Sequence, residues 1–347
     1  MKRTRQRKNI TMSKRSFLPI SVIIFALVLA ACGRTSPNTA PPTLPTPVTL
    51  QLQWVTQAQF AGYYVALDKG WYLEEGIELT IRPGGPDISP IDSVRTGAAE
   101  FGTSLLADII VASQQANDLV SIAQIQQTNG LLLIAKKDSG ISVPKDFVGK
   151  NVGVWLGNWE AQFDALIAKE GIKANDFTLV SQGFSMDSFI NGELDVASAM
   201  IYNEYYVVLE SGFKPEDINI INYADYGLDF PGDGLFTSIK TTQENPDLCA
   251  RMLRASLRGW QYAIENPEEA TDIILKYDKS GVQTRGHQLS MMLEITKLVQ
   301  VNLRPLGYTD RNDVRRVIDT LYSYQVLNTQ MDPDSIFTNS FWEQAQP

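Results

Sequence analysis

The sequence predicts an α/β protein, and three observations carry that assignment. Short apolar runs bounded by glycine and polar residues recur along the chain, among them VTLQLQW, IELTI, LLLIAKK and DVASAMI. Segments with apolar residues at helical spacing lie between them. From Asn245 onward the pattern is helical to the end, with PDLCARMLRASLRGWQYAIEN the longest run. Strand–helix units followed by helices argue for sheets with helices on their faces.

The chain opens with an export signal. Residues 1–15 hold seven Lys/Arg and no acid, Phe17–Ala30 is mostly apolar, and LAAC at Leu29–Cys32 closes the segment. Basic, apolar and small segments in that order form a secretory signal. The apolar core is short for a membrane span, which needs roughly 20 residues. Its cysteine makes residues 1–31 resemble a bacterial lipoprotein signal. That resemblance implies a lipid on Cys32, the first residue of the mature chain, and a place on the outer face of the cell membrane. Residues 32–47 are rich in Pro, Thr and Ser, with little to bury, and read as a flexible tether.

The remaining chain of about 300 residues is long enough for two domains. Losing the seven basic residues of the signal takes the formal net charge from −9 to −16. A body that acidic is a poor nucleic-acid binder and offers no polybasic membrane patch. Only Cys249 remains in it, so an internal disulfide is excluded. There is no CxxC, no Cys/His cluster of metal-binding type, and PGGPD at Pro83–Asp87 lacks the Lys and Ser/Thr of a phosphate loop. Neither a cofactor nor a metal is expected.

In order, VTLQLQW alternates like a half-exposed strand, TQAQF interrupts it, and AGYYVALDKGWY carries a helical pattern that ends at Gly76. IELTI is the second strand. A helix pattern in SPIDSVRTGAA, a strand AEFGTS, a helix LLADIIVASQQAN and strands VSIAQI and LLLIAKK follow. NVGVWLG starts a new unit with the helix EAQFDALIAKEG behind it. FTLVSQ, the helix MDSFINGE, DVASAMI, the helix NEYYVVLESG, INIINYA and GLFTSIK continue the alternation. The polar connector DSGISVPKDFVGK after LLLIAKK and the turn cluster PGDG mark two lobes. Residues 48–136 and 235–330 are assigned to lobe 1, and 137–234 to an inserted lobe 2.

The phrase AGYYVALDKGWYLEEGIEL resembles the start of type II solute-binding proteins of ABC importers. It is most similar to the branch related to thiamine-pyrimidine precursor synthases and to bacterial binders of thiamine pyrimidines and riboflavin. The likeness runs over nearly all of Val48–Leu327. It implies a two-lobe periplasmic-binding-protein clamshell of type II, with the ligand cleft between the lobes, working with an ABC permease and its ATPase.

Candidate binding residues fall at strand ends, where open α/β sheets place ligands. Trp54 offers a flat face, and Gln57 and Gln59 offer both donors and acceptors for ring edges. WLGNWEAQF at Trp155–Phe163 is a glycine turn before a helix. There Asn158 is a plausible cap, Glu160 lies in the first turn, and Trp155 and Trp159 supply aromatic surface. In AMIYNEYYVVLE, Tyr202, Asn203 and Glu204 follow a strand and open a helix; the phrase resembles the YNEY stretch of the family's second lobe. The loop DYGLDFPGD at Asp225–Asp233 is a further candidate, with a hinge as its first reading. His287, the one histidine, reads as a surface or helix-face residue without a nucleophile motif.

The thiamine-pyrimidine branch carries a stretch resembling WxPNTNHTG. This chain has Trp54-Val55-Thr56-Gln57-Ala58-Gln59-Phe60-Ala61-Gly62, without that Asn and His. The synthases' histidine near the N-terminus and Cys-rich motif are also absent, which argues against their activity. The expected ligand is therefore riboflavin, whose large ring suits the Trp and Tyr faces. A thiamine-precursor pyrimidine is the alternative, and a sensor role without transport a further one. Sulfonate and nitrate, which other type II proteins bind, would want Arg or Lys in loops that lack them.

Overall fold

The structure is a computed structural model that describes residues 44–157 and 159–346. The signal, residues 32–43 of the tether with Cys32, and Asn158 lie outside the described residues, while Thr46 and Pro47, expected in the tether, belong to the first strand. Among the described residues ten strands form two sheets. They are β1 (Thr46–Gln51), β2 (Ile77–Arg82), β3 (Phe101–Leu105), β4 (Leu119–Gln124), β5 (Leu131–Lys136), β6 (Asn151–Val154), β7 (Thr178–Ser181), β8 (Val196–Met200), β9 (Ile218–Asn222) and β10 (Asp233–Ser238). The first sheet has the order β2-β1-β3-β10-β4 and the second β7-β6-β8-β5-β9. In each, the first three strands are parallel and the fourth runs against its neighbours.

That reversed strand is where the chain arrives after changing sheets. β5 enters the second sheet directly after β4, and β10 returns to the first directly after β9. LLLIAKK, expected to close lobe 1 at residue 136, is therefore corrected to the second sheet. Its unbroken apolar run fits a strand packed on both faces, and Leu131–Ala135 are all buried between β8 and β9. The other end of that lobe also moves. Residues beyond 330 still pair with the first sheet, where Ser121 N–H donates to Ile336 O at 2.8 Å and Thr338 N–H to Ser121 O at 2.9 Å.

The two connections run side by side. Asn129 N–H donates to Phe230 O and Gly232 N–H to Gln126 O, each at 3.0 Å. DYGLDFPGD thus belongs to the return connection, as a hinge would, but its last residue has a second task described below.

Two details set the cleft geometry. AGYYVALDKGWY, read as one helix, breaks at Gly70, whose φ of +75° starts a second short turn at Trp71. The Ala61–Asp68 helix then packs on Pro246–Glu265 at unusually short range. A Cβ on Gly62 would lie 2.2 Å from Trp260, and one on Gly259 would lie 2.0 Å from the Gly62 carbonyl. β1 also differs from its alternating pattern, because it is interior to the sheet. Gln51 and Gln53, the polar members, are buried and hydrogen-bonded instead of facing water.

Candidate functional site

The C-terminal ends of β1, β3, β6 and β8 and the start of β10 meet in the cleft. β1 delivers Trp54, and the backbone beyond it is fixed by Gly84, whose N–H donates to Trp54 O at 2.8 Å. A Cβ on Gly84 would sit 2.2 Å from Leu52 O, so the two segments approach this closely only around glycine. Trp54 projects among aromatic rings carried by the second sheet's loops. Its ring lies 5.9 Å from Trp155, 4.9 Å from Trp159 and 4.7 Å from Phe184. Trp155 and Trp159 pack edge to face on each other at 5.5 Å, and the Trp155 indole N–H donates to Gly183 O.

Beside this cluster, the polar groups form two connected sets. In the first, Gln57 Nε2 donates to Gln59 Oε1 at 2.7 Å, and Gln59 Nε2 donates to Asp233 Oδ2 at 2.6 Å. Gln53 and Gln126 complete the shell around Asp233, at 2.7 and 3.1 Å. Burial pushes the Asp233 carboxyl up to about 6, against the pull of the Gln59 and Gln53 amides. Gln59 is thus engaged at both ends of its amide, whereas the Gln57 carbonyl has no bond among the described residues. The 3₁₀ turn Ala58–Phe60 opens toward the cleft, but the Ala58 N–H is already taken by Gln288 Oε1 at 2.6 Å.

The second set lies on the other lobe. Glu204 is 3 % exposed and accepts the Met200 N–H at 2.9 Å and Asn203 Nδ2 at 2.7 Å. Burial raises its carboxyl to about 7, and those two donors limit the rise. Asn203 Oδ1 faces His287 Nε2 at 2.9 Å, while His287 Nδ1 lies 3.1 Å from both Glu210 oxygens. His287 comes from the Arg285–Val299 helix, so it joins two elements across the mouth of the cleft. It is 8 % exposed, on the inward face of its helix and not at the surface, the other position expected for it. Tyr202 is 1 % exposed, and its hydroxyl has no hydrogen bond among the described residues.

Trp54, Gln57, Gln59, Trp159, Tyr202, Asn203 and Glu204 all line one small cavity of about 10 Å³, room for about one water. Trp155 lines it as well, so eight of the sequence-derived candidates are brought together. Asn158 lies outside the described residues. Glu160 points elsewhere: it lines a separate groove of about 510 Å³ and accepts the Gly157 N–H. On the opposite side the cavity opens to a groove of about 430 Å³, lined by Phe184, Glu210 and His287 among others. Sequence reasoning missed Gln53, Phe184, His287 and Gln288 as cleft residues, and read Asp233 first as part of a hinge. Gln53 carried a signal, a polar residue at the end of a strand that turns out interior. Phe184 and His287 reach the site only through tertiary folding.

The single thiol of the folded body, Cys249, is fully buried and pushed up to about 12 by desolvation, so it is not a nucleophile. Among the described residues no helix is long and apolar enough to cross a membrane.

Comparison with known proteins gives a consistent picture. The chain is 26% identical to the riboflavin-binding protein RibY of Chloroflexus aurantiacus, over 95% of this chain and 98% of that one. It is 27% identical to the formylaminopyrimidine-binding protein of Halalkalibacterium halodurans, over 94% and 99%. A third relative, the 4-amino-5-hydroxymethyl-2-methylpyrimidine phosphate synthase of Legionella pneumophila, is 29% identical over 85% and 92%. In fold, the chain is similar to the periplasmic nitrate-binding protein NrtA of Synechocystis PCC 6803, with a TM-score of 0.66 at 13% identity over 87% and 88%. The two-lobe α/β fold is that of periplasmic binding proteins. Residues 57–270, well over half of the sequence, match the NMT1/THI5-like family, and the chain belongs to it.

Proposed function

We propose that the chain is the extracytoplasmic ligand-capturing component of an ABC importer, and that it takes riboflavin between its lobes and delivers it to the permease. The observation that carries this reading is the meeting of Trp54, from the first sheet, with Trp155, Trp159 and Phe184, from the second, at the closing face. A flat ring entering there exchanges one set of aromatic contacts for another. Stacked or edge pairs span about 4.5–7 Å between centroids. Inserting a ring between Trp54 and Trp159 therefore roughly doubles their present 4.9 Å separation. The lobes must part to admit it and close on it, and a ligand that touches both stabilises the closed form. Gln57, Tyr202 and Glu204 then supply orientation at the ring edge, with Gln59 and Asn203 holding them in place.

One observation favours a thiamine-precursor pyrimidine as the second reading. A Glu204 carboxyl near 7 is both a donor and an acceptor at neutral pH. It complements the adjacent ring nitrogen and amino group of an aminopyrimidine. The deciding experiment titrates the purified full chain, in mild detergent, with both compounds. Riboflavin stacked on Trp loses its own fluorescence. Tight pyrimidine binding with flavin fluorescence untouched sinks the riboflavin reading and leaves the clamshell reading standing.

Lipidation at Cys32 completes the proposal by tethering the body to the membrane beside its permease. Cys32→Ala should release the protein from the membrane fraction and abolish lipid labelling. Unchanged fractionation would refute that anchor.

A further inference from the structure

The groove on the Glu160 side of the cleft, about 510 Å³, is built from both lobes and has an unusual polar lining. Two helices border it, Leu106–Ser113 along one face and Ala161–Glu170 by its first turn. A helix N-terminus with free N–H groups is the usual protein cradle for phosphate. Here the chain's own carboxylates stand at the first turns, although none of them caps a helix N–H. Asp108 lies in the first turn of one; Glu160 and Asp164 lie at the start of the other. Glu160 also accepts the Gly157 N–H, the donor in the loop that a phosphate oxygen would otherwise use.

Positive charge does not offset this. Arg95 lines the groove, but its guanidinium is committed to Asp118, with three contacts of 3.1 Å, and to the Ala112 carbonyl at 2.7 Å. Asp108 supplies an independent observation. It is 92 % buried, lines the groove, and its Oδ2 has no hydrogen-bond partner among the described residues. A buried, unpartnered carboxyl oxygen of that kind calls for a hydrogen-bonding group from a ligand. Desolvation, with Asp233 and Glu160 as neighbouring charges, pushes its carboxyl well up. The groove is also next to the ring cavity. Trp159 lines one and Glu160 the other, and Asp233, which holds Gln59, is close enough to Asp108 to act on it.

We infer that this groove is the tail subsite of the aromatic cavity, accepting a hydroxylated or ammonium tail and refusing the phosphate ester of the same ring compound. The inference rests on the proposed capture of a flat heterocycle. Hydroxyl groups pair with Asp108 and the outer carboxylates, while a phosphate dianion meets the like charges of Glu160 and Asp164.

The test measures dissociation constants of the purified full chain for two matched pairs of probes: riboflavin and its 5′-phosphate, and hydroxymethylpyrimidine and its phosphate. For whichever ring binds, the phosphate ester should bind at least tenfold more weakly. Glu160→Gln with Asp164→Asn should narrow that ratio at least fivefold. Raising salt from 0.05 to 0.5 M should narrow it in the parent protein, which keeps the test valid if the double variant folds poorly. Binding of an ester within threefold of its parent compound overturns the inference while leaving heterocycle capture intact. A ratio that neither the double variant nor salt changes also overturns it. Pyrimidine binding with its phosphate refused, and no flavin binding, supports the groove's role and removes riboflavin. If neither ring binds, both conclusions fall.

Discussion

Replacing Glu204 by Gln should make the protein more stable at neutral pH and slightly less stable in acid. Burial raises the Glu204 carboxyl from 4.5 to about 7, so the folded state holds this proton more tightly than the unfolded chain does. The associated stability is fully present below 4.5 and is lost as pH rises through about 7. At 1.36 kcal/mol per pH unit, the loss across that interval amounts to about 3 kcal/mol. A glutamine does not titrate and escapes the loss. Its carbonyl can still accept the Met200 N–H, but its amide then faces Asn203 Nδ2, which must turn. That rearrangement disturbs the contact with His287 and costs about 1 kcal/mol at every pH. The variant should thus be about 1 kcal/mol less stable near pH 4.5 and about 2 kcal/mol more stable near pH 7.5. With an unfolding entropy of about 2.1 cal/mol/K per residue over about 300 residues, the swing is about 5 °C in Tm. Thermal unfolding followed by circular dichroism at half-unit steps of pH reads it directly. Asp233 and Asp164, each raised to about 6, titrate in both proteins and cancel in the difference. A Tm difference that is flat with pH, or falls as pH rises, would refute the reasoning.

Trp54→Ala should weaken ligand binding tenfold or more, since it removes a stacking partner worth about 0.5–1.5 kcal/mol beyond its buried area. Calorimetric titration measures this, and unchanged affinity in a folded variant would remove Trp54 from the site. His287→Ala should speed ligand release several-fold in stopped-flow dilution, because it cuts the link to Asn203 and Glu210 at the cleft mouth; an unchanged release rate would count against that link. Gly62→Ala should destabilise the fold by about 1–3 kcal/mol, because the new methyl would press on the Trp260 ring. Denaturant unfolding without a lower midpoint would show that the two helices can separate at little cost.

Strand–helix order was legible because each element has local punctuation: Gly76 and Gly171 end their segments, and apolar runs mark the strands. The site was partly legible for the same reason, since Trp54, Trp159 and Tyr202–Glu204 sit at strand ends that the pattern exposes. LLLIAKK was assigned to the wrong sheet because an apolar run says that a strand is buried but not which strands flank it. Asp233 looked like part of a hinge loop. Its role depends on Gln53, Gln59 and Gln126, which reach it from 180, 174 and 107 residues away in sequence. His287 has no local motif, and only the packing of its helix brings it to Asn203.

The burial of Cys249 makes the folded body convenient for attaching a reporter. A thiol-reactive dye finds no accessible native target there, so one engineered cysteine would be labelled cleanly. Val282 is 76 % exposed on the rim of the groove that Trp54 and His287 also line. A polarity-sensitive dye on Val282→Cys would sit where one lobe approaches the other. Its brightness would then follow cleft closure in real time, and would turn the protein into a sensor for its own ligand.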